Sequence, residues 1–157
     1  MLLVQDEQGY VNLSELLSKG FREGQAHGKP ILEKAWLKGR TKGLICLSGG
    51  LRGELGSAIM AGRSIYRETL IKEYQDMFED RFYIEIQRIG RPHEEEFIAA
   101  SAELSAKFGV PLVATNDVHF MRAEDFDAHE VKVCINEGRV LNDTCLLYTS
   151  PSPRDRG

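Results

Sequence analysis

The chain has few of the features that place a protein outside the cell or in a membrane. Its three cysteines, Cys46, Cys134 and Cys145, have neither the spacing of a disulfide framework nor that of a zinc ribbon. No stretch approaches the ~20 apolar residues that cross a bilayer. Residues 1–6 lack the basic region and the long apolar run of a signal peptide. We therefore expect a cytoplasmic protein.

The chain also lacks a basic segment. Its net charge is −4, and no run of lysine and arginine with interleaved aromatic residues occurs in it. A segment that binds nucleic acid by itself carries a basic face, so the sequence gives no support for such binding. The 42% hydrophobic and 28% charged residues are typical of a soluble domain, and 157 residues suffice for one domain with a core.

Apolar runs alternate with amphipathic segments along the chain, which predicts an α/β fold. Strands are expected at 2–4, 43–47, 82–87 and 112–115, and the clearest later helices at 64–79, 92–108 and 123–137. For the first helix, Asn12 is the expected N-cap after a turn at Gly9-Tyr10. The strand, helix and strand from Phe82 to Thr115 form a βαβ unit, which requires parallel pairing and a right-handed crossover.

The candidate site follows the last predicted strand, which reads as buried. Chemistry in such folds collects at the carboxyl ends of the strands, where Asp117 and His119 lie. If the backbone stays extended, both side chains leave the same face and could bind one metal ion or share one proton. The alternative is an Asx turn at Asn116 beside a surface histidine. Two ligands alone do not complete a catalytic metal site.

Four other features have weaker functional interpretations. Glu85, in the third strand, either faces solvent or turns into a site. His129 could reach the site, but a helix-surface position is the expectation. The acidic run 94–96 is expected to interact with a helix dipole rather than with a metal. Residues 48–50 are expected to form a tight turn with positive φ rather than a phosphate cradle.

Several strings together resemble one family, the alpha subunit of the bacterial replicative DNA polymerase III. They are, in chain order, GYVNLSELLSKGF, GLICLSGGLRGELG, FYIEIQRIGRPHEEEF, VPLVATNDVHF and DFDAHEVKVCINEGRVLND. The resemblance runs from Leu2 to Asp143 and corresponds to the carboxyl-terminal part of the N-terminal polymerase-and-histidinol-phosphatase (PHP) domain. It implies a partial PHP domain at 1–143. The proline- and serine-rich residues 144–157 are expected to be a disordered, non-native tail.

The resemblance implies a distorted seven-stranded βα barrel with metals at the strand ends, truncated here on its N-terminal side. The family's last metal motif, Asp-x-His, corresponds to Asp117 and His119. Zinc or manganese is the implied cofactor of an intact site, and phosphoester hydrolysis, including 3′–5′ exonuclease activity, is the implied chemistry. Two departures from the family pattern argue against activity, and the second, at Gly50, is typical of relatives whose metal site has decayed. The opening His-x-His motif would precede Met1, and Gly50 stands where metal-binding relatives carry cysteine.

The expected protein is therefore a fragment of a DNA-directed DNA polymerase (a nucleotidyltransferase), and the fragment itself is expected to be inactive. The polymerase carboxylates of the family lie in a later domain. Expected partners are the proofreading exonuclease subunit and other replicase subunits, with DNA bound through the parent polymerase and no membrane. Two alternatives are a stand-alone phosphoesterase of the histidinol-phosphatase type and a purely structural docking module. With barrel strands missing, the sheet should expose apolar edges and favour aggregation.

Overall fold

A computed structural model describes residues 1–26, 29–138 and Val140. Its strands are β1 (Leu2–Val4), β2 (Gln25–Ala26), β3 (Lys29–Pro30), β4 (Leu44–Leu47), β5 (Phe82–Ile86) and β6 (Leu112–Ala114). Its helices are α1 (Glu7–Glu23), α2 (Glu54–Met60), α3 (Ser64–Phe78), α4 (Glu94–Phe108) and α5 (Phe126–Glu137). The predicted α/β fold is confirmed. The expected tail, 144–157, lies outside the described residues, and among those described no helix has the length and apolar character that a bilayer crossing requires.

The main sheet has the strand order β1-β4-β5-β6. β4, β5 and β6 are parallel, with Cys46 opposite Phe82 and Ile84 opposite Leu112, and β1 joins β4 antiparallel. The predicted βαβ unit is thus confirmed, and the carboxyl ends of β4, β5 and β6 meet at one end of the sheet. An open sheet of this kind, with flanking helices, is consistent with part of the barrel that the resemblance implies. β2 and β3 form a separate two-stranded ladder.

The core lies between this sheet and the helices packed on it. α3 contacts β4 and β5, and α4 contacts β5 and β6. The fully buried apolar side chains come from α1 to α4 and from the two central strands, β4 and β5, and include Leu16, Leu44, Leu55, Ile71, Phe82, Ile84 and Phe97. Burying one such side chain stabilises a fold by about 1.5–3 kcal/mol, so this cluster fixes the sheet on which the strand-end residues stand.

A polar cluster around Glu54, here called the Glu54 cluster, joins α2 to α3 and to the loop before β4. The carboxylate accepts hydrogen bonds from Tyr66 (2.7 Å) and Tyr74 (3.0 Å) and pairs with Lys34 at 2.7 Å. Lys34 also bonds Glu73 at 3.2 Å. Burial opposes ionisation of Glu54, but these bonds outweigh it and lower its pKa. The cluster is therefore a satisfied ionic contact between neighbouring elements.

The start of α1 differs from the prediction. α1 includes Gly9, and its N-cap is Asp6, whose carboxylate accepts the Gly9 N–H at 2.8 Å. The expected turn at Gly9-Tyr10 and the expected cap at Asn12 are therefore wrong, and Asn12 is buried within the helix. The glycine has a packing reason: a Cβ there would lie 1.8 Å from the carbonyl oxygen of Gly43. Gly9 lets α1 approach the backbone that leads into β4.

The edge strands are more exposed than their sequences predict. β6 was expected to be buried, but Leu112 is 38% exposed, because β6 is the last strand in the sheet order. In β1, at the other edge, Leu3 and Val4 are also exposed. The expectation of exposed apolar residues at the sheet edges is confirmed, and the aggregation expected from them stays a prediction.

Candidate functional site

Hydrogen bonds that involve side chains tie together the carboxyl ends of β4, β5 and β6. Glu85 of β5 is only 5% exposed. Its backbone N–H donates to Ser48 Oγ at 2.9 Å, and its carboxylate accepts the hydroxyl of Thr115 at 2.5 Å. The Gln87 amide in turn donates to Thr115 Oγ1 at 3.1 Å. The question that the sequence left open is thus answered: Glu85 faces the strand ends and not solvent.

Asp117 and His119 are brought together just beyond β6. His119 Nε2 lies 3.3 Å from Asp117 Oδ1, although residues 115–120 carry no regular secondary structure. The Asp117 backbone N–H donates to the Asn116 side chain at 3.0 Å, whereas an Asx turn would use the N–H two residues after Asn116. The spacing therefore predicted the convergence of the two side chains.

Asp117 has a partner that the sequence did not indicate. The guanidinium of Arg91 donates from Nη2 to Asp117 Oδ2. Both side chains are partly buried, with 26% of Arg91 and 34% of Asp117 exposed. Since His119 stands at the other carboxylate oxygen, both oxygens of Asp117 have a polar neighbour. The pairing joins the turn after β5 to the loop after β6.

The first turn of α4 fixes the turn that carries Arg91. Glu94 is 6% exposed, and its carboxylate accepts the backbone N–H groups of Ile89 at 2.9 Å and Gly90 at 2.8 Å. Gly90 has φ 86°, a conformation that favours glycine. The expected placement of acidic residues 94–96 in the first helical turn is confirmed. Glu94 adds a role in that it holds the preceding turn.

His129 of α5 packs on the site, so the expectation of a helix-surface histidine is wrong. Its ring stacks on that of His119, with centroids 5.1 Å apart, and also contacts Phe120 at 5.6 Å. Phe120 meets Phe126 edge-on at 5.9 Å, which docks the start of α5 against the loop. Burial, followed by the charges of His119 and Lys132, lowers the pKa of His129. Its Nε2 is buried and has no hydrogen-bond partner within the described part of the chain.

The turn after β4 has the backbone that the sequence predicted. Gly49 and Gly50 have φ of 84° and 58°, both in the region that favours glycine. The expectation of a tight turn with positive φ at 48–50 is confirmed. α2 begins beyond it at Glu54 and is a helix of 7 residues.

A divalent metal, implied by the resemblance, needs more donors than this site supplies. Catalytic zinc sites use three protein ligands, whereas Asp117 and His119 offer two. Across the described residues, no group of three or more His, Cys, Asp or Glu side chains is arranged to hold a metal ion. Arg91 already bonds one oxygen of the Asp117 carboxylate. The residues present therefore do not fit a complete metal centre, and the assignment of Asp117 and His119 as metal ligands stays a prediction.

Comparison with known proteins agrees with the resemblance. The chain is 50% identical over 142 residues to DNA polymerase III subunit alpha of Pseudomonas fluorescens. It is 46% identical to that of Pseudomonas aeruginosa and 41% identical to that of Escherichia coli. Each comparison covers 90% of this chain and 12% of the relative, so the chain spans about an eighth of the length of these proteins. Residues 1–89, more than half of the chain, match the PHP domain family, to which the chain therefore belongs.

Proposed function

We propose that the chain is the PHP portion of a bacterial replicative DNA polymerase alpha subunit and acts in the cytoplasm as part of that longer, DNA-directed DNA polymerase. The observation that carries this proposal is the 41–50% identity over 90% of the chain to proteins named DNA polymerase III subunit alpha. Within such a protein, residues 1–143 would form part of one domain. Nucleotide transfer would be the work of another domain.

The role we propose for the domain is support of the polymerase and docking of the proofreading exonuclease subunit and other replicase subunits. The pairing of Arg91 with Asp117 favours this structural role over hydrolysis, since it neutralises the carboxylate without a metal. The part-buried hydrogen bond from Thr115 to Glu85 has a similar structural effect, because it joins the end of β6 to β5.

A metal-dependent phosphoesterase or 3′–5′ exonuclease is the second candidate, and the convergence of Asp117 and His119 favours it. Metal analysis of the full-length protein separates the two candidates. Hydrolysis requires bound zinc or manganese that is lost with Asp117→Ala. If the purified protein holds neither metal, and Asp117→Ala changes only stability, the hydrolase is excluded.

A chimera tests the polymerase assignment with this chain alone. The segment of the Escherichia coli alpha subunit that aligns with this chain would be replaced by the aligned 142 residues. If the chain is the corresponding part of a polymerase, the purified chimera should extend a primed template and retain its complex with the proofreading subunit.

The matched control carries Leu44→Asp in the same chimera. Leu44 is fully buried in β4, and an uncompensated buried charge there should unfold the domain and abolish primer extension. A chimera that is soluble, melts cooperatively and yet extends no primer would contradict the assignment. Loss of the proofreading subunit alone would contradict only the docking role.

A further inference from the structure

The guanidinium of Arg91 bonds the same carboxylate that a cation held by Asp117 and His119 would use. Arg91 Nη2 bonds Oδ2 of the carboxylate, and His119 Nε2 lies 3.3 Å from Oδ1. A metal that used both Asp117 and His119 would share this carboxylate with a permanent positive charge. Like charges held a few ångströms apart repel each other, and a divalent ion is repelled more strongly than a singly charged one.

The position of Arg91 is built into the fold. Glu94, buried at the start of α4, accepts two backbone N–H groups from residues 89 and 90, immediately before Arg91. Pro92 follows and restricts the backbone on the other side. Arg88, on the same segment, pairs instead with the exposed Glu95 at 2.8 Å. Of these two arginines, the anchored turn thus directs Arg91 to Asp117 across the strand ends.

We propose that Arg91 is an internal counter-cation that excludes divalent metal ions from the Asp117–His119 pair. A guanidinium is protonated at every physiological pH and presents several donors in a fixed plane, so it supplies the charge that Asp117 requires without dissociating. It holds the loop after β6 to the turn after β5 whatever the metal concentration. This exclusion would act in any protein with the same geometry, whether or not it is part of a polymerase.

The test measures metal affinity of the whole 157-residue chain with Arg91→Gln, which removes the charge and keeps a polar side chain. Zn²⁺ is titrated against a chromophoric chelator, and Co²⁺ is followed by its visible absorption bands. We expect Arg91→Gln to bind Zn²⁺ at least about tenfold more tightly than the unmodified chain, the worth of one charge-assisted hydrogen bond. Adding Asp117→Asn should abolish the gain.

Arg88→Gln is the matched control, because it removes the same charge from the same segment without touching Asp117. It should leave the Zn²⁺ affinity unchanged, and Arg91→Lys, which keeps the charge, should do the same. If Arg91→Gln fails to fold, Arg91→Met of similar size replaces it. The proposal is overturned if a folded Arg91→Gln or Arg91→Met chain gains no affinity. It is equally overturned if the unmodified chain binds Zn²⁺ as tightly as the variant, or if Arg88→Gln produces the same gain.

Discussion

Replacing Gly9 by alanine should destabilise the protein, even though alanine is the better helix former. Gly9 lies inside α1, where a Cβ would be 1.8 Å from the carbonyl oxygen of Gly43 and 2.5 Å from its carbonyl carbon. Both are backbone atoms, so no side-chain rotation can relieve the contact. To reach an ordinary separation of 3.4 Å, α1 would have to move away from Gly43 by about 1.6 Å.

The expected magnitude follows from three opposing contributions. Alanine gains about 1 kcal/mol over glycine in a helix interior. Overpacking costs about 1–3 kcal/mol when a core has to shift. The same shift strains the N-cap bond from Gly9 N–H to Asp6, now 2.8 Å long, and a lost cap costs about 1 kcal/mol. We expect the free energy of unfolding to fall by about 2 kcal/mol.

Urea denaturation followed by tryptophan fluorescence measures this change, because the single tryptophan, Trp36, has its ring 4.5 Å from Lys19 of α1. Gly20→Ala is the matched control in the same helix. Within 3.4 Å, a Cβ at Gly20 would meet only two atoms, both in side chains: one of Leu32 at 3.0 Å and one of Pro30 at 3.3 Å. Its effect should stay within about 1 kcal/mol of zero. The reasoning is refuted if Gly9→Ala is as stable as Gly20→Ala.

Thr115→Val should lower the free energy of unfolding by about 1–3 kcal/mol, since it removes the hydroxyl that donates to the buried carboxylate of Glu85. Thr69→Val, at an exposed helix position, should change the free energy of unfolding by less than about 0.5 kcal/mol. Equal effects of the two substitutions in urea denaturation would contradict the importance of the bond from Thr115 to Glu85. Because folding lowers the pKa of Glu54 below its ordinary value of 4.5, the ionised carboxylate stabilises the fold at pH values above 4.5. This contribution is lost as the pH falls through the lower pKa of the folded state. Between pH 6 and pH 3 the free energy of unfolding should therefore fall more in the unmodified chain than in Glu54→Gln. The difference should be less than about 1 kcal/mol, because the carboxylate is partly exposed. Parallel pH curves for the two proteins would contradict this prediction. Burial raises the pKa of Cys46 to about 11, so at pH 8 this thiol should resist iodoacetamide until the protein unfolds. Peptide mass spectrometry measures the labelling, and rapid labelling of the native protein would contradict the prediction.

The sequence predicted the strands of the sheet better than it predicted the contacts between elements. The apolar run of β4 and the short links from β5 to β6 were sufficient to predict strands and parallel pairing. The sequence predicts a turn at Gly9 because glycine favours turns. Glycine is required there because α1 passes close to Gly43, which is distant in sequence. The apolar sequence of β6 predicts a buried strand. The edge position that exposes Leu112 depends on strand order, which hydrophobicity does not encode.

The candidate site was predictable only in its local part. A single residue separates Asp117 from His119 along the chain, so their spacing predicted that the two side chains converge. Arg91 lies 26 positions before Asp117, and nothing in a single sequence links the two. The orientation of Glu85 and the stacking of His129 likewise depend on how the strands and α5 pack. A charged residue between a glycine and a proline after a strand is the signal that could have drawn attention to Arg91.

The sheet order also has a consequence for how the chain folds. Each pairing in the main sheet joins residues far apart in sequence: Leu2 pairs with Cys46, Cys46 with Phe82, and Ile84 with Leu112. Loops must close before any of these ladders forms, and such topologies fold more slowly than helical ones of equal length. We expect α1, α3 and α4 to fluctuate into helices first, within microseconds, with the sheet forming in the rate-limiting step. The antiparallel β1, whose pairing with β4 closes the longest loop of the three ladders, would then join the sheet last.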